Sequence, residues 1–389
     1  MDDVRSVSRR SFMGGVAAAI GYLGLRPEHV FGQGRGAAPR GRLSTADYDL
    51  FAKLANNENP YGPPESVIKA MTDAMKYANR YGYPDGDIVQ EIANHHKVKP
   101  ENVLLGAGSG EILEVAGSAF LLGGKKVVGV DPTYASVYQH ASGIKADAIR
   151  LPLLPDYTQN IPEMIKATKA NYRDVGFVYL VNPNNPTGVI VPRQQVRQLL
   201  DALPEDVPVL IDEAYHHFVE HPEYETAEAY VREGRPVIIA RTFSKIVGLA
   251  GMRLGYAIAP KPLIDRMRPF SVGSINALVK WGGVAALKDT AAQEKVKRLN
   301  ADLRRKTVAE LQALGYESIP SEANFFMLSI RRPVVPVIDE FRKRGVLVGR
   351  PFPPMLEHLR VSVGTADEMS RFMAAFKEIF APARSTSAA

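Results

Sequence analysis

Cysteine is absent from all 389 residues, which excludes disulfides and thiolate metal sites and raises no redox objection to export. A one-sided charge is nearly absent as well. The formal net charge is +6, and residues 1–42 hold seven arginines against three acids, which leaves only +2 for the remainder. That balance is no nucleic-acid footprint. No apolar run reaches the roughly 18 residues of a membrane-spanning helix, and no internal repeat is visible. A hydrophobic share of 46% and a charged share of 23% are ordinary for a soluble globular chain, here long enough for two domains and a large core.

What is present is a series of short apolar runs, each ending in residues able to do chemistry. Pro236-Val237-Ile238-Ile239-Ala240 reads as a buried strand of a mostly parallel sheet, followed by Arg241-Thr242-Phe243-Ser244-Lys245 and a glycine-rich turn to Arg253. Ligands of open α/β sheets bind at the carboxyl ends of strands, so Lys245 is well placed for a Schiff base once burial or a cation such as Arg253 lowers its pKa. Thr242 and Ser244 offer hydroxyls, and Arg253 a planar fork, to a phosphate. The cofactor this suggests is pyridoxal 5'-phosphate (PLP). Taken alone, a Ser-Lys pair is more often a strand cap with its head in solvent.

Other runs supply partners. Val207 to Ile211 delivers Asp212-Glu213-Ala214-Tyr215, where Asp212 is suited to keep a pyridine nitrogen protonated and Tyr215 to bond a ring phenolate. The plainer use of Asp212 is a helix N-cap. Gly176 to Val181 ends in Asn182-Pro183-Asn184-Asn185-Pro186-Thr187-Gly188, a rigid turn that also presents Asn185. Val103-Leu104-Leu105 leads through Gly106-Ala107-Gly108-Ser109-Gly110 into a helical pattern, an arrangement that favours a phosphate at a helix N-terminus and also fits a nucleotide-binding crossover. Val127 to Val130 precedes Tyr134, a ring able to stack on a planar cofactor or simply to pack.

In combination these motifs resemble the fold-type I PLP enzymes, most closely the histidinol-phosphate aminotransferase family. The resemblance runs from about Leu54 to Phe376 and keeps the family's order. It includes Asn57-Glu58-Asn59-Pro60-Tyr61-Gly62, Tyr83-Pro84-Asp85, Glu101 to Gly106, the Asn-Pro-Thr-Gly turn, Asp-Glu-Ala-Tyr, the lysine segment and Leu359 to Thr365. It implies an α/β fold with a mostly parallel seven-stranded sheet between helices plus a smaller α+β domain. It also implies a homodimer with shared active sites. By position, Lys245 would be the Schiff-base lysine and proton shuttle, Asp212 the partner of the pyridine nitrogen, and Asn185 and Tyr215 those of the phenolate oxygen. Tyr134 would stack on the ring. Gly108, Ser109, Gly110, Thr242, Ser244 and Arg253 would surround the phosphate, and a tyrosine from the partner would reach it. Spacing favours Tyr81 over Tyr83 for that role. Arg360 would bind the substrate's acidic group, with Asn185, Tyr61 and Arg350 also facing the substrate.

Two departures stand out. Gly110 replaces the Asp that commonly follows the phosphate-binding Ser, and Arg350 is shifted by one from the family's second substrate arginine, behind Gly349. The second departure weakens the match to histidinol phosphate, and the resemblance implies an aminotransferase moving an amino group between an amino acid, or a histidinol-phosphate-like amine, and a 2-oxo acid by a ping-pong mechanism. Decarboxylation or oxidation of an amino acid is the alternative on the same fold. A PLP-binding module without turnover and a dinucleotide-binding protein are more remote readings.

The first 42 residues read as a twin-arginine signal: Ser8-Arg9-Arg10-Ser11-Phe12-Met13, a weakly apolar Gly14 to Leu25, then a Gly/Pro/Arg-rich stretch in which Gly36-Ala37-Ala38 offers small residues for cleavage. Export would place the protein in the periplasm. The expected divisions are residues 1–42 for this signal, 43–78 for an arm and small-domain helix, 79–275 for a large cofactor-binding domain and 276–384 for a small domain. The pairs His95-His96 and His216-His217 read as surface residues rather than metal ligands.

Overall fold

The computed structural model describes residues 45–381, so the proposed signal and its twin arginines lie outside the described residues. Among the described residues are eleven strands: β1 (Ala52–Leu54), β2 (Val103–Gly106), β3 (Lys126–Asp131), β4 (Asp147–Pro152), β5 (Val175–Val181), β6 (Val209–Asp212), β7 (Val237–Thr242), β8 (Gly255–Ile258), β9 (Phe325–Ser329), β10 (Val346–Val348) and β11 (His358–Ser362). Seven of them form one mixed sheet in the order β2-β8-β7-β6-β5-β3-β4.

The apolar runs become strands because both faces of this sheet are covered. Along β5, Val178 and Leu180 enter one core while Phe177, Tyr179 and Val181 enter the other. The first core is closed by helices Ile88–His96, Ile161–Ala170, Arg193–Ala202 and Ala277–Lys288, the second by Ser109–Leu121, Ser136–Gly143 and Lys261–Met267. A period of two with both sets apolar is what a doubly covered strand requires.

Strand direction decides where the chemistry gathers. β3, β5, β6 and β7 pair in parallel, and β8 runs antiparallel to both β7 and β2. β2 is therefore parallel to β7, and the segments following β2, β3, β5, β6 and β7 all emerge at one edge. A second group of strands flanks that edge: β1 pairs in parallel with β10, and β9 antiparallel with β11. These pack with helices Val334–Lys343 and Ala366–Ile379 around Phe326, Phe341, Phe372 and Phe376. Helix Ala366–Ile379 starts at a capping box in which the Glu368 amide donates to Thr365 Oγ1 (3.2 Å) and the Thr365 amide to Glu368 Oε2 (2.8 Å). That cap fixes the chain just beyond β11.

Of the histidine pairs only His95 is exposed; His96 is buried, and His216 and His217 are half-buried. His96 is buried with Nε2 2.9 Å from the Tyr256 hydroxyl, and the His216 and His217 rings lie 3.7 Å apart at their centroids. Both pairs pack toward the buried guanidinium of Arg241.

Candidate active site

The common edge of the strands opens into a cavity of about 580 Å³, within the roughly 300–1,000 Å³ typical of small-molecule sites. Its floor is built from strand ends. β6 delivers Asp212, whose Oδ1 accepts the Ala214 amide (3.1 Å), and Tyr215 follows on the same turn. The β7 end supplies Thr242, Ser244 and Lys245, and the β5 turn supplies Asn185.

Asp212 is 3% exposed, and burial pushes its carboxyl up to about 7, while the nearby Lys245 ammonium pulls it down. Burial lowers Lys245 to about 8, with the Arg360 guanidinium acting in the same direction. Its Nζ donates to the Asn56 carbonyl (3.1 Å) and lies 5.7 Å from the Tyr215 ring centroid. Such a lysine is neutral for roughly a tenth of the time at pH 7, far more than an ordinary lysine. The Tyr215 hydroxyl accepts from Asn57 Nδ2 (3.0 Å) and Asn185 Nδ2 (3.3 Å), and burial raises its pKa to about 12.

At one end lies a cradle for an anion. Helix Ser109–Leu121 begins beside Arg253, whose Nη1 donates to Ser244 Oγ (3.3 Å) and Nη2 to the Ala107 carbonyl (2.9 Å). Gly108 has φ +83°, and a Cβ on it would sit 2.2 Å from Arg253 Nη2. Glycine is therefore required there by backbone conformation and by space. At the other end is Arg360 from β11, which donates to Asn185 Oδ1 (2.7 Å) and the Ala55 carbonyl (2.6 Å) but leaves its buried Nε without a partner. Arg360 and Arg350 both lie against the Phe352 ring, at 4.6 and 4.2 Å from its centroid.

Of the residues singled out from the sequence, Ser109, Gly110, Tyr134, Asn185, Asp212, Tyr215, Thr242, Ser244, Lys245, Arg253, Arg350 and Arg360 line this one cavity. Gly108 stands behind its Arg253 wall. Tyr61 and Tyr81 lie outside it, both exposed, and the Tyr83 hydroxyl is occupied by the Ile275 carbonyl (3.1 Å). Sequence reasoning assigned no role to Asn57, whose amide and Oδ1 are both held by Ser362 Oγ (2.8 and 3.0 Å), although it stood within a quoted motif. It also missed the outer wall of Val335, Ile338, Asp339, Val348 and Phe352, which comes from distant segments with no signature of their own.

This donor set fits PLP. A glycine-lined helix start with Ser244 and Arg253 suits its phosphate, a buried carboxylate its ring nitrogen, a hydroxyl-amide pair its phenolate, and an amine of lowered pKa its aldehyde.

The class I and II aminotransferase family model matches residues 51–376. A histidinol-phosphate aminotransferase from Moorella thermoacetica is 35% identical over 85% of this chain and 85% of its own length. A solved structure from Erwinia carotovora atroseptica, assigned to histidinol-phosphate aminotransferases, superposes with a TM-score of 0.81 at 31% identity, covering 86% of this chain and 96% of that one. The histidinol-phosphate aminotransferase from Sinorhizobium meliloti, solved with pyridoxal 5'-phosphate, gives a TM-score of 0.79 at 24% identity, covering 90% of this chain and 98% of that one. The last of these shares the fold.

Proposed function

The chain belongs to the class I and II aminotransferases, in their histidinol-phosphate aminotransferase family, and from that premise we propose that Lys245, Asp212 and Arg360 carry its reaction on a free amino acid. The protein is a PLP-dependent aminotransferase, moving an amino group between an amine donor and a 2-oxo acid in two half-reactions. Bound PLP supplies the electron sink that accepts the pair left behind when the substrate's α-proton departs.

In this reading Lys245 Nζ would hold the cofactor at its aldehyde and would take the substrate's α-proton. Its lowered pKa, near 8, supports both tasks, because attachment and proton abstraction require the neutral amine. The Asp212 carboxylate would keep the proton on the ring nitrogen, and Tyr215 and Asn185 would hold the phenolate oxygen. Ser109, Gly110, Ser244 and Arg253 would hold the phosphate. Arg360 clamps the substrate carboxylate with the Nε that has no partner. The observation that carries the reading is the convergence of Lys245, Asp212 and Arg360 on one cavity.

The preference for a free amino acid rests on the outer wall. Glu58 and Asp339 line it without an ion pair of their own among the described residues, and Arg350 bonds only the Pro351 carbonyl (2.9 Å). These carboxylates offset the Arg350 and Arg360 charges in the same cavity and so weaken its hold on a phosphate dianion. The test is the visible absorbance of the purified protein with a panel of amino acids and histidinol phosphate, using Lys245→Ala as control. The band should collapse with an amino acid and return with a 2-oxo acid. Faster turnover of histidinol phosphate than of every amino acid would defeat the substrate assignment.

Two further proposals concern the protein's setting. Residues 1–42 direct export by the twin-arginine route, which carries folded, cofactor-loaded proteins. Replacing Arg9 and Arg10 by lysine should leave the protein in the cytoplasm, and unchanged periplasmic recovery would refute the assignment. A homodimer completes each site with the partner's copy of Tyr81. No helix among the described residues is long and apolar enough to cross a membrane.

A further inference from the structure

Directly behind the cavity floor, on the opposite face of the sheet, lies a buried charge cluster that the reaction does not use. Alternation places it there. Val209, Ile211, Val237 and Ile239 face the first core, so the next residues of that phase, Glu213 and Arg241, point the same way, while Asp212 and Thr242 point into the cavity. Arg241 and Glu213 are each about 2% exposed. Glu213 Oε2 accepts from Arg241 Nη2 (2.6 Å) and Nε (3.1 Å), and its Oε1 accepts the Ala227 amide (2.8 Å). The Glu213 amide in turn donates to the Ala240 carbonyl (2.9 Å). Arg241 Nη1 reaches Glu228 Oε1 at 2.9 Å, and His96 Nδ1 lies 3.2 Å from the same oxygen.

We propose that Arg241 is a positioning residue: its fork-like pair with Glu213 joins the ends of β6 and β7 and cancels a negative charge standing directly behind Asp212. The proposal rests on Asp212 as the partner of the cofactor's ring nitrogen. That role needs a carboxylate, and burial already opposes one. The Glu213 charge pushes the Asp212 carboxyl up further, so a cation held against Glu213 favours the working form of Asp212. Lysine in place of Arg241 would lack the planar fork that spans Glu213 and Glu228 together.

Other titratable groups face the cluster. They are His95 and His96 from helix Ile88–His96, Tyr256 from β8, Glu228 and Arg232 from helix Glu228–Arg232, His216 and His217 beyond β6, Tyr224 from the following loop and Lys297 from helix Thr290–Ala313, while Lys245, Tyr134 and Tyr179 face Asp212 itself. Burial pushes His96 down to about 4, so it is neutral at working pH and Arg241 is the buried cation of the cluster, with the more exposed Arg232 at its rim, 3.5 Å from Glu228 Oε2.

The test is the pH dependence of pyridoxamine 5'-phosphate binding to the full chain freed of cofactor. This probe lacks an aldehyde and does not react with Lys245, and its protonated ring nitrogen pairs with ionised Asp212. Affinity should rise with pH through a midpoint that moves down by about half a unit or more in Glu213→Gln and returns near the wild-type value in Glu213→Gln/Arg241→Met, while Arg241→Met alone moves it up over the pH range in which Glu213, raised by burial, is ionised. A merely structural role would weaken binding equally at every pH and leave the midpoint unmoved, which overturns the proposal. Should Arg241→Met fail to fold, Glu213→Gln decides alone: a lowered midpoint supports the proposal and an unmoved one overturns it. Asp212→Asn separates the two levels. A flat profile there keeps the Asp212 reading even when the Arg241 proposal fails, whereas an unchanged profile overturns both.

Discussion

Asp212 and Lys245 each hold an unfavourable form for the sake of the reaction, and the two opposing environments have consequences for the cofactor-free protein. Asp212 has a folded pKa near 7, above its unfolded value. The folded state therefore binds more protons than the unfolded one between about pH 4 and 7, and stability from this group falls as pH rises through that window. Asp212→Asn removes the penalty. Thermal melting of the cofactor-free full chain should show the variant more stable than wild type at pH 8, by on the order of a few degrees. The difference should shrink toward pH 4, although Lys245 loses a carboxylate neighbour and trims the gain. The same variant should bind pyridoxamine phosphate at least about 10-fold more weakly. Equal melting at both pH values would show that Asp212 carries no burial strain. Both residues were legible in the sequence for one reason: each follows an apolar run at a point where a buried strand must release the chain. Asn57 was not, because its left-handed backbone (φ +55°) and its bonds to Ser362 link residues 305 apart.

At the level of elements, the segment from β2 into helix Ser109–Leu121 shows which glycines the site demands. A Cβ on Gly108 would meet Arg253 at 2.2 Å from a backbone at φ +83°, whereas a Cβ on Gly110 would meet nothing within 4 Å. Gly108→Ala should therefore lower PLP affinity by about 10-fold or more, the equivalent of roughly 1–3 kcal/mol of backbone strain and displaced guanidinium, while Gly110→Ala should stay within about twofold. Absorbance titration of PLP into each variant reads the contrast, and equal losses would show that the cradle does not depend on the Gly108 conformation. Most strands of the large sheet were legible because doubly covered strands are uninterrupted apolar runs. β4 was not singled out, since Asp147-Ala148-Ile149-Arg150-Leu151-Pro152 lies at the sheet edge with no fully buried residue. β8 also escaped notice, because its four residues follow Arg253 almost at once. Its reversal of direction is what sets β2 parallel to β7 and brings Gly108 and Ser109 to the site. The surface reading failed for His96 because no local pattern shows that the buried Arg241, on a strand 145 residues away, meets its ring.

Over the whole molecule, the cavity joins segments from both ends of the described chain: Asn57 beside Tyr215, and Arg360 beside Asn185 and Phe352. No local pattern could announce that convergence, because it depends on β1 and β11 meeting the edge of a sheet built by residues between them. The phosphate cradle adds a question of completeness. Tyr81 is fully exposed and far from satisfying any group of its own chain, while the alternative, Tyr83, is bonded to the Ile275 carbonyl and lies beneath Lys280. Exposed apolar side chains gather in the same part of the sequence, at Ile68 and Met75, beside a groove lined by Met71, Leu249, Met252 and Leu278. A second copy covering this face would bury them and carry Tyr81 toward the partner's phosphate. The prediction is made with mixed dimers. Tyr81→Phe should weaken PLP binding about 5- to 10-fold, the loss of one hydrogen bond to a charged group. Lys245→Ala should abolish turnover in its own site. In a dimer of one chain carrying each change, the intact lysine sits in the Tyr81→Phe chain and receives its tyrosine from the Lys245→Ala chain, so that site should recover wild-type PLP affinity. If Tyr81 acts within its own chain, the site keeping the lysine lacks the tyrosine and stays weak. Sedimentation at working concentration supplies the independent check, and a monomer with full PLP affinity would remove the shared site altogether.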